Sequence, residues 1–277
     1  MTGKGMAHGA ATVVNAIASG RGSAFGVDLR TEASVELKGD ALLGKIEGQP
    51  MESLDLMLLC VGRVMERFDY RGGAVIATRS RIPISRGLKS SSAAANAVIL
   101  ATLDALGEKM DPLDAVRLGC ACAIEAGVSI TGAFDDACAS ALGGLVLTDN
   151  RVNELLQRTS LPEELKVIIQ VPQRQIRKSQ VPVQRVRLLR PEAEMAFALA
   201  QHGDWPRAMV LNGLVQCAAL SLDATSALRA MELGALCAGL SGTGPAVVAV
   251  ADALLAEEIA EKWGGDCLIA DIYHGEG

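Results

Sequence analysis

The chain has 277 residues and a formal net charge of −6, and 50% of its residues are hydrophobic although only 3% are aromatic. This is the composition of a globular protein, so a disordered chain is excluded, and the length suits two small domains or one large one. The acidic balance excludes a general attraction to nucleic acid or to an anionic membrane surface, and no apolar stretch reaches the roughly 18 residues of a membrane helix.

The cysteine pattern indicates a reduced protein of the cytoplasm. The number of cysteines is odd, no C-x-x-C pair occurs, and most of the cysteines have apolar neighbours in the sequence. Cys120 and Cys122 are two residues apart, a spacing that directs side chains to different faces of a helix. We therefore expect buried free thiols rather than disulfides or a metal site. The cysteines are Cys60, Cys120, Cys122, Cys138, Cys217, Cys237 and Cys267.

Strands and helices are predicted throughout the first half. Residues 10–18 are interpreted as an amphipathic helix of the mature fold, because His8 and Asn15 interrupt the apolar run that a signal peptide needs. Residues 27–39 alternate apolar and polar side chains, which predicts a half-buried strand. The remaining predictions are a helix over 51–68, a strand over 72–83, helices over 93–107 and 111–127, and a strand over 143–150.

The second half is predicted to be an α+β unit with a split βαβ arrangement. The polar residues between about 150 and 165 are interpreted as the boundary, which gives domains of residues 1–155 and 156–277. The predicted elements are a strand over 165–172, two helices within 191–220 separated by Gly203, a helix over 222–234, two strands and a glycine turn within 235–251, a helix over 252–264 and a strand over 266–273.

Two glycine-containing segments match chemical motifs incompletely. Residues 39–46 read G-x-x-x-x-G-K, but Ile46 replaces the Ser or Thr whose hydroxyl would bind Mg²⁺. Residues 239–243 approach G-x-S-x-G, but Thr243 replaces the last glycine of that nucleophile motif. Both matches are interpreted as chance.

The segment PISRGLKSSSAA at residues 83–94 is a stronger phosphate-binding candidate. It places a glycine turn, a lysine and three serines where an alanine-rich helix begins. The first backbone N–H groups of a helix have no partner within the helix, and the helix dipole favours an anion there. One serine would suffice as a helix cap, which is the structural alternative. The predicted ATP-binding residues of this loop are Pro83, Gly87, Leu88, Lys89, Ser90, Ser91, Ser92 and Ala93, with Ser91 and Ser92 predicted to bind Mg²⁺.

A second glycine turn lies between the two apolar strands of residues 235–251. Its residues Ser241, Gly242, Thr243 and Gly244 are predicted to contribute to the ATP site, where bare backbone at the glycines would approach the nucleotide or the first loop. The structural alternative is a tight β-turn. One such loop in each half fits a nucleotide held between the two halves.

Four segments resemble the motifs of the GHMP kinase superfamily, and most closely those of its archaeal-type shikimate kinases. They are GAATVVNAIASGRGSAFGVDL at residues 9–29, the phosphate-loop segment at 83–94, TGAFDDACASALGG at 131–144, and GLSGTGPA at 239–246. They occur in the family order and cover nearly the whole chain. The resemblance implies an α+β fold with a ribosomal-protein-S5-like N-terminal domain and a ferredoxin-like C-terminal domain.

The resemblance also implies a function. The expected reaction is phosphorylation of shikimate by ATP, with Mg²⁺ as cofactor, to 3-phosphoshikimate, a step of aromatic amino-acid biosynthesis in the cytoplasm. A homodimer is a possible assembly of the chain. Two alternatives remain open: another small-molecule kinase of the superfamily, such as a homoserine kinase, or a metabolite sensor without activity. Lys89 departs from the Gly or Ser that many relatives have there. The substrate-binding residues that the resemblance implies are Asn15, Asp28, Arg86, Thr131 and Gly132.

The candidate catalytic residues are Asp135 and Asp136. In the family, an Asp before a helix of small residues can act as the base that takes the proton of the attacking hydroxyl. Spacing to the pair Gly143 and Gly144 favours Asp136, whereas the D-x-A pattern favours Asp135. Two adjacent buried carboxylates would repel, so one of them is expected to pair with a cation or with Mg²⁺. A helix cap would explain one of these residues but not both.

Two groups of basic residues could offset the negative charge of ATP and substrate. One group surrounds the phosphate loop and consists of Arg79, Arg81, Arg86 and Lys89. The second group follows the first strand of the second half and consists of Arg174, Arg177, Lys178, Arg185, Arg187 and Arg190. The second group is interpreted as a solvated face, with a lid over the active site as the alternative.

Overall fold

The computed structural model describes residues 1–83, 86–172 and 181–275 of the chain. The strands in these ranges are β1 (Thr2–Val14), β2 (Arg21–Leu37), β3 (Leu42–Ile46), β4 (Ala74–Ser80), β5 (Leu145–Asp149), β6 (Glu154–Thr159), β7 (Leu165–Gln170), β8 (Cys237–Leu240), β9 (Val247–Asp252) and β10 (Cys267–Tyr273). The helices are α1 (Asp55–Arg67), α2 (Ser90–Leu106), α3 (Pro112–Glu125), α4 (Phe134–Leu142), α5 (Val183–Leu188), α6 (Arg190–Gln201), α7 (Trp205–Leu220), α8 (Thr225–Glu232) and α9 (Ala253–Trp263).

The N-terminal half is built on the long antiparallel pair of β1 and β2, against which α2 packs closely. Two glycines of β1, Gly3 and Gly5, permit this approach. A Cβ at Gly3 would lie 2.2 Å from the backbone nitrogen of Ala105, and a Cβ at Gly5 would lie 2.2 Å from the carbonyl oxygen of Ala97. Because α2 is held at this distance along its length, its N-terminus is fixed relative to the sheet.

The C-terminal half has a ferredoxin-like sheet. Its antiparallel strands lie in the order β10-β7-β9-β8, and the connections between them contain helices α5 to α8 and α9. β10 then extends the pairing into the first half, since Ile272 pairs with Val27 and Tyr273 with Gly26. The two halves also share one hydrophobic core, which includes Phe25 from β2 and Met209 from α7.

The mixture of strands and helices confirms the predicted α+β class, and local signals account for many element ends. Gly107 ends α2 with φ +73°, and Asp111 caps α3 by accepting a hydrogen bond from the N–H of Leu113. All cysteines except Cys267 are buried, and all are free, as predicted. Among the described residues, no helix is both long and apolar enough to cross a bilayer.

The prediction of a helix over residues 10–18 is wrong. These residues form the end of β1 and the turn after it, and Thr12 pairs with Ala24 of β2. The β-branched Thr12, Val13 and Val14 favour a strand, and pairing with β2 outweighs the helix propensity of the alanines. Strand β3 was also not predicted; it pairs in parallel with β4 inside the segment that matched a P-loop by chance.

The polar residues 150–165 are not wholly a linker. Residues Glu154–Thr159 form β6, which pairs with β5 in the first half of the chain. The strand was not recognised because five of its six side chains are exposed, so no apolar alternation marks it. The division into two domains remains a prediction, and this pairing favours a boundary after Thr159 rather than at residue 155.

Candidate active site

The N-terminus of α2 presents unpaired backbone donors. The first intrahelical bond is donated by the N–H of Ala93 to the carbonyl of Lys89, so the N–H groups of residues 90–92 precede the regular ladder. No side chain caps this end of the helix, and within the described residues the hydroxyls of Ser90, Ser91 and Ser92 have no hydrogen-bond partner. The serines are therefore not used as caps, and the turn is suited to an anion.

The two glycine-containing loops are in direct contact. The hydroxyl of Ser241 donates to the carbonyl of Gly87 at 2.8 Å, and the N–H of Ala246 donates to the carbonyl of Arg86 at 3.0 Å. Gly87 has φ +88°, and a Cβ there would lie 2.2 Å from the carbonyl oxygen of Ser241. The second loop thus holds the backbone of the phosphate-loop candidate in place. Only a glycine at position 87 lets the two backbones approach so closely.

The turn after β1 is joined to the same loops. The hydroxyl of Thr12 accepts a hydrogen bond from the N–H of Gly242 at 2.9 Å. The amide of Asn15 donates to the carbonyl of Gly242 at 2.9 Å, while its oxygen accepts from the N–H of Ile17. The oxygen of the Asn212 amide on α7 accepts from the N–H of Asn15. Segments distant in sequence are thereby held in one network.

Helix α4 begins opposite α2 with the acidic pair in its first turn. Its N-cap is Ala133, which has φ +54°, and Gly132 before it has φ +77°. This sharp turn directs Asp135 and Asp136 inward, where they are 3% and 6% exposed. Both helix N-termini therefore face one cleft, and its lining includes Thr12, Asn15, Lys89, Thr131, Asp135, Asp136 and Gly242.

Asp135 is held in a closed polar environment. The amide of Asn150 donates to its Oδ1 atom at 2.8 Å, and Asn150 in turn accepts from the hydroxyl of Thr148. Gly22 provides the space, since a Cβ there would lie 2.4 Å from Oδ2 of Asp135. Burial raises the pKa of Asp135 to about 7, with the charge of Asp136 adding to the rise, whereas Lys89 and Asn150 act in the opposite direction.

Asp136 forms an ion pair with Lys89. The Nζ atom of Lys89 lies 3.0 Å from Oδ1 of Asp136, and the two side chains are 6% and 9% exposed. Lys89 is the N-cap of α2 and has φ +65°, a conformation that L-residues seldom adopt. The lysine that distinguishes the phosphate loop thus bridges to the first turn of α4. Lys89 is thus the cation that one of the two carboxylates was expected to pair with.

The predicted site residues divide into three groups. Those that meet at the cleft or at its loops are Asn15, Gly87, Lys89, Ser90, Ser91, Ser92, Thr131, Asp135, Asp136 and Gly242. Those that shape the backbone around it, most of them with buried side chains, are Pro83, Leu88, Ala93, Gly132, Ser241, Thr243 and Gly244. The third group, Asp28 and Arg86, does not line the cleft.

Asp28 and Arg86 are bound elsewhere. The carboxylate of Asp28 accepts a hydrogen bond from Nε of Arg30 at 2.8 Å and lies 3.5 Å from Nε2 of His8. The guanidinium of Arg86 donates to the carbonyl of Pro172. Neither residue lines the cleft, and a contact of Asp28 or Arg86 with the substrate stays a prediction. Of the second basic group, Arg174, Arg177 and Lys178 lie outside the described residues.

Several lining residues were not predicted. A larger cavity of about 510 Å³ adjoins the cleft and shares Ala16, Ile17 and Thr131 with it. Its polar lining includes Asn150, Arg151, Arg187 and Arg190. Arg187 and Arg190 were recognised only as members of a charged run, and nothing local in the sequence marks Asn150 as the partner of Asp135.

The chain matches two family models and several curated relatives. The models described as GHMP kinases N terminal domain and GHMP kinases C terminal match residues 55–144 and 196–268. The shikimate kinase of Methanococcoides burtonii is 49% identical over 95% of this chain and 91% of the relative. The shikimate kinase of Halobacterium salinarum is 44% identical over 95% of this chain and 93% of the relative.

Solved structures share the fold at low sequence identity. A homoserine kinase from Cytophaga hutchinsonii has a TM-score of 0.78 at 18% identity, with 99% of this chain and 96% of that chain covered. The mevalonate kinase of Methanococcus jannaschii has a TM-score of 0.77 at 15% identity, with 98% of both chains covered. At these identities the likeness establishes the architecture alone.

Proposed function

The chain belongs to the GHMP kinase family, and from this premise we propose that it transfers the γ-phosphoryl group of ATP to a hydroxyl of shikimate, giving 3-phosphoshikimate and ADP. The observation that carries the proposal is the 49% identity to a shikimate kinase over 95% of the chain. The geometry supports the reaction class, because Lys89 at the N-terminus of α2 and the two aspartates of α4 form a buried group that lines one cleft. A sensor without activity would be expected to have lost parts of this arrangement.

ATP is proposed to bind with its phosphates at the first turn of α2. The backbone N–H groups and hydroxyls of residues 90–92 supply donors there, and the dipole of a 17-residue helix adds favourable potential. Gly87 allows the second loop to pack against this turn, and Gly242 leaves room for the side chain of Lys89. The Asn15, Thr12 and Ser241 contacts hold these loops in place before ATP arrives, so little reorganisation is needed on binding.

Mg²⁺ is proposed to accompany ATP. The hydroxyls of Ser91 and Ser92 fit this ion, because they are hard oxygen donors without protein partners in the described part of the chain. No group of three or more acidic, His or Cys side chains forms a metal cage within residues 1–83, 86–172 and 181–275. This agrees with an ion bound largely through substrate phosphates, as Mg²⁺ commonly is. When bound, it would neutralise negative charge on the phosphates.

The acidic pair is proposed to handle the proton of the acceptor. A carboxylate of the pair takes the hydroxyl proton as the hydroxyl oxygen bonds to the γ-phosphorus, while the bond between that phosphorus and the β–γ bridging oxygen breaks and ADP leaves. We assign the base to Asp136, whose ion pair with Lys89 places it between the two helix N-termini. Asp135, buried behind it and held by Asn150, is proposed to position and tune the pair.

The cytoplasm is proposed as the location of the reaction, since ATP is available there and the free buried thiols suit a reducing compartment. The direct test is product identification. Purified protein with ATP, MgCl₂ and shikimate should yield a phosphate monoester of shikimate by ³¹P NMR and mass spectrometry, in amounts equal to the ADP formed. ATP consumption without this product, or no consumption, would refute the proposed function.

A further inference from the structure

The cavity beside the cleft is large enough for a small ring-shaped metabolite. Its volume is about 510 Å³, and Ala16, Ile17 and Thr131 line both this cavity and the cleft that holds the acidic pair. Asn150 lines the cavity and donates to Asp135. A molecule in this cavity would therefore lie beside Asn150, the hydrogen-bond partner of Asp135.

The charged lining of this cavity is basic. Arg151, Arg187 and Arg190 line it, and no Asp or Glu is among the described lining residues. Two of these arginines are already neutralised: Arg151 pairs with Asp149, and Arg190 pairs with Glu194 at 2.8 Å. Within the described residues, Arg187 has no carboxylate within ion-pair distance. Arg187 is thus the cation of this wall that remains available to a bound anion.

The short helix that carries Arg187 is fastened to the body of the protein. Val186 is fully buried in a cluster with Ile17, Ala18 and Ala219. Arg185 donates to the hydroxyl of Ser221 at 2.7 Å and to the carbonyl of Ala218 at 2.9 Å. Because its two preceding neighbours are fixed in this way, the backbone of Arg187 is anchored beside the cavity, although Arg187 itself is exposed to solvent.

We propose that Arg187 binds the carboxylate of the acceptor substrate and so selects anionic hydroxy acids and orients their hydroxyl toward the acidic pair. The inference rests on the proposed function and names the residue that would set its specificity. A guanidinium matches a carboxylate with two parallel hydrogen bonds, and such a fork fixes direction as well as charge. A cationic ammonium group is disfavoured at the same wall, because no carboxylate of the lining would receive it.

The test compares Arg187→Met with Arg207→Met. Arg207 is an exposed arginine at the start of α7 that pairs with Asp204 and does not line the cavity, so it controls for loss of a positive charge. For Arg187→Met we expect kcat/KM for shikimate to fall about 10–100-fold, the usual worth of a hydrogen-bonded charge, mainly through KM. The KM for ATP and the melting temperature should not change. Arg187→Lys should recover part of the loss.

A second substrate separates binding of the carboxylate from a general effect. The methyl ester of shikimate keeps the ring and hydroxyls but has no negative charge. The wild type should discriminate against the ester by about the same factor that Arg187→Met loses with shikimate, and Arg187→Met should treat acid and ester nearly alike. If the variant still discriminates as the wild type does, or if both methionine variants behave alike, the inference is overturned. Failure of the wild type to phosphorylate shikimate would instead overturn the proposed function, and the inference with it.

Discussion

Lys89 and Asp136 join the first turns of two helices across the cleft, with 3.0 Å between Nζ and Oδ1. Both groups are nearly excluded from water, so their attraction is screened little. The lysine next to the phosphate-binding turn is therefore also the counter-charge of the proposed base. Its position is controlled by its neighbours, and Gly242 is one of them, since a Cβ there would lie 2.8 Å from Nζ of Lys89.

Replacing Gly242 with Ala should displace Lys89 from Asp136. The new methyl group would meet the flexible end of the Lys89 side chain, so Lys89 must move away from the proposed base. We therefore expect kcat to fall at least about 10-fold. Gly39→Ala is the matched control: its φ is +69° against +61° for Gly242, but nothing lies within 4 Å of its Cβ position. Both variants should lose about 1–2 kcal/mol of stability from backbone strain. Equal kcat values for the two variants would show that the contact with Lys89 is unimportant.

Asp136→Asn should nearly abolish turnover while shikimate still binds. The amide keeps the shape of the carboxylate but cannot take the proton, so kcat should fall about 10²–10⁴-fold. Asp135→Asn should reduce kcat less and should alter the dependence of the rate on Mg²⁺ concentration. Calorimetric titration with shikimate alongside the turnover rate separates binding from chemistry. If both variants retain nearly normal rates, neither residue is the base and the enzyme acts by positioning and electrostatics.

Asp135→Asn should stabilise the fold more at high pH than at low pH. The pKa of Asp135 is raised by burial to about 7, from 3.8 for an ordinary aspartate. As the pH rises, Asp135 therefore loses its proton at a lower pH in the unfolded chain than in the folded protein. The free energy of unfolding of the wild type consequently decreases between about pH 4 and pH 7 and is constant above pH 7. The Asn variant lacks this decrease, so its melting temperature should exceed that of the wild type by several degrees at pH 8 and by less at pH 5. A difference that is independent of pH would contradict the raised pKa.

Ser91→Ala and Ser92→Ala should weaken the use of MgATP without affecting the fold. Within the described residues neither hydroxyl has a protein partner, so each is available to phosphate or Mg²⁺, and loss of such a contact should cost about 1–3 kcal/mol. Ser53→Ala is a suitable control, because Ser53 also precedes a helix and accepts a hydrogen bond from the N–H of Asp55. Normal KM for ATP and normal kcat in both variants would remove the phosphate-loop assignment.

The sequence was most informative where structure depends on local signals. Apolar periodicity and a following glycine predict the helix α2, which ends before Gly107, and the helices α6 and α7, which Gly203 separates. The acidic first turn of α4 is predicted by its motif. The sequence predicts that the backbone of Gly244 approaches the nucleotide or the first loop, and its carbonyl oxygen lies 3.3 Å from the Cβ position of Gly87 in that loop. A Cβ at Gly244 would also lie 2.8 Å from a methyl group of Leu240, so Gly244→Val is expected to lower stability as well as activity.

The remaining features depend on contacts between distant segments. Residues 10–14 are strand because β2 lies beside them, and no local property of the alanines reveals this. The pairing of Lys89 with Asp136 and of Asn150 with Asp135 likewise requires the fold. Arg187 lies in a charged run that the sequence alone indicates to be solvated. Its place beside the cavity depends on the packing of Val186 against Ile17 and Ala18, which a sequence pattern does not show.

A comparison of acceptors separates shikimate from the substrates of related kinases. The rate of ADP release should be measured with shikimate, homoserine and mevalonate under identical MgATP concentrations. We expect kcat/KM for shikimate to exceed the values for the other two acceptors by at least about 100-fold, the discrimination available from one well-placed charged contact and the fit of the cavity. A higher kcat/KM for homoserine or mevalonate than for shikimate would mean that shikimate is not the preferred acceptor.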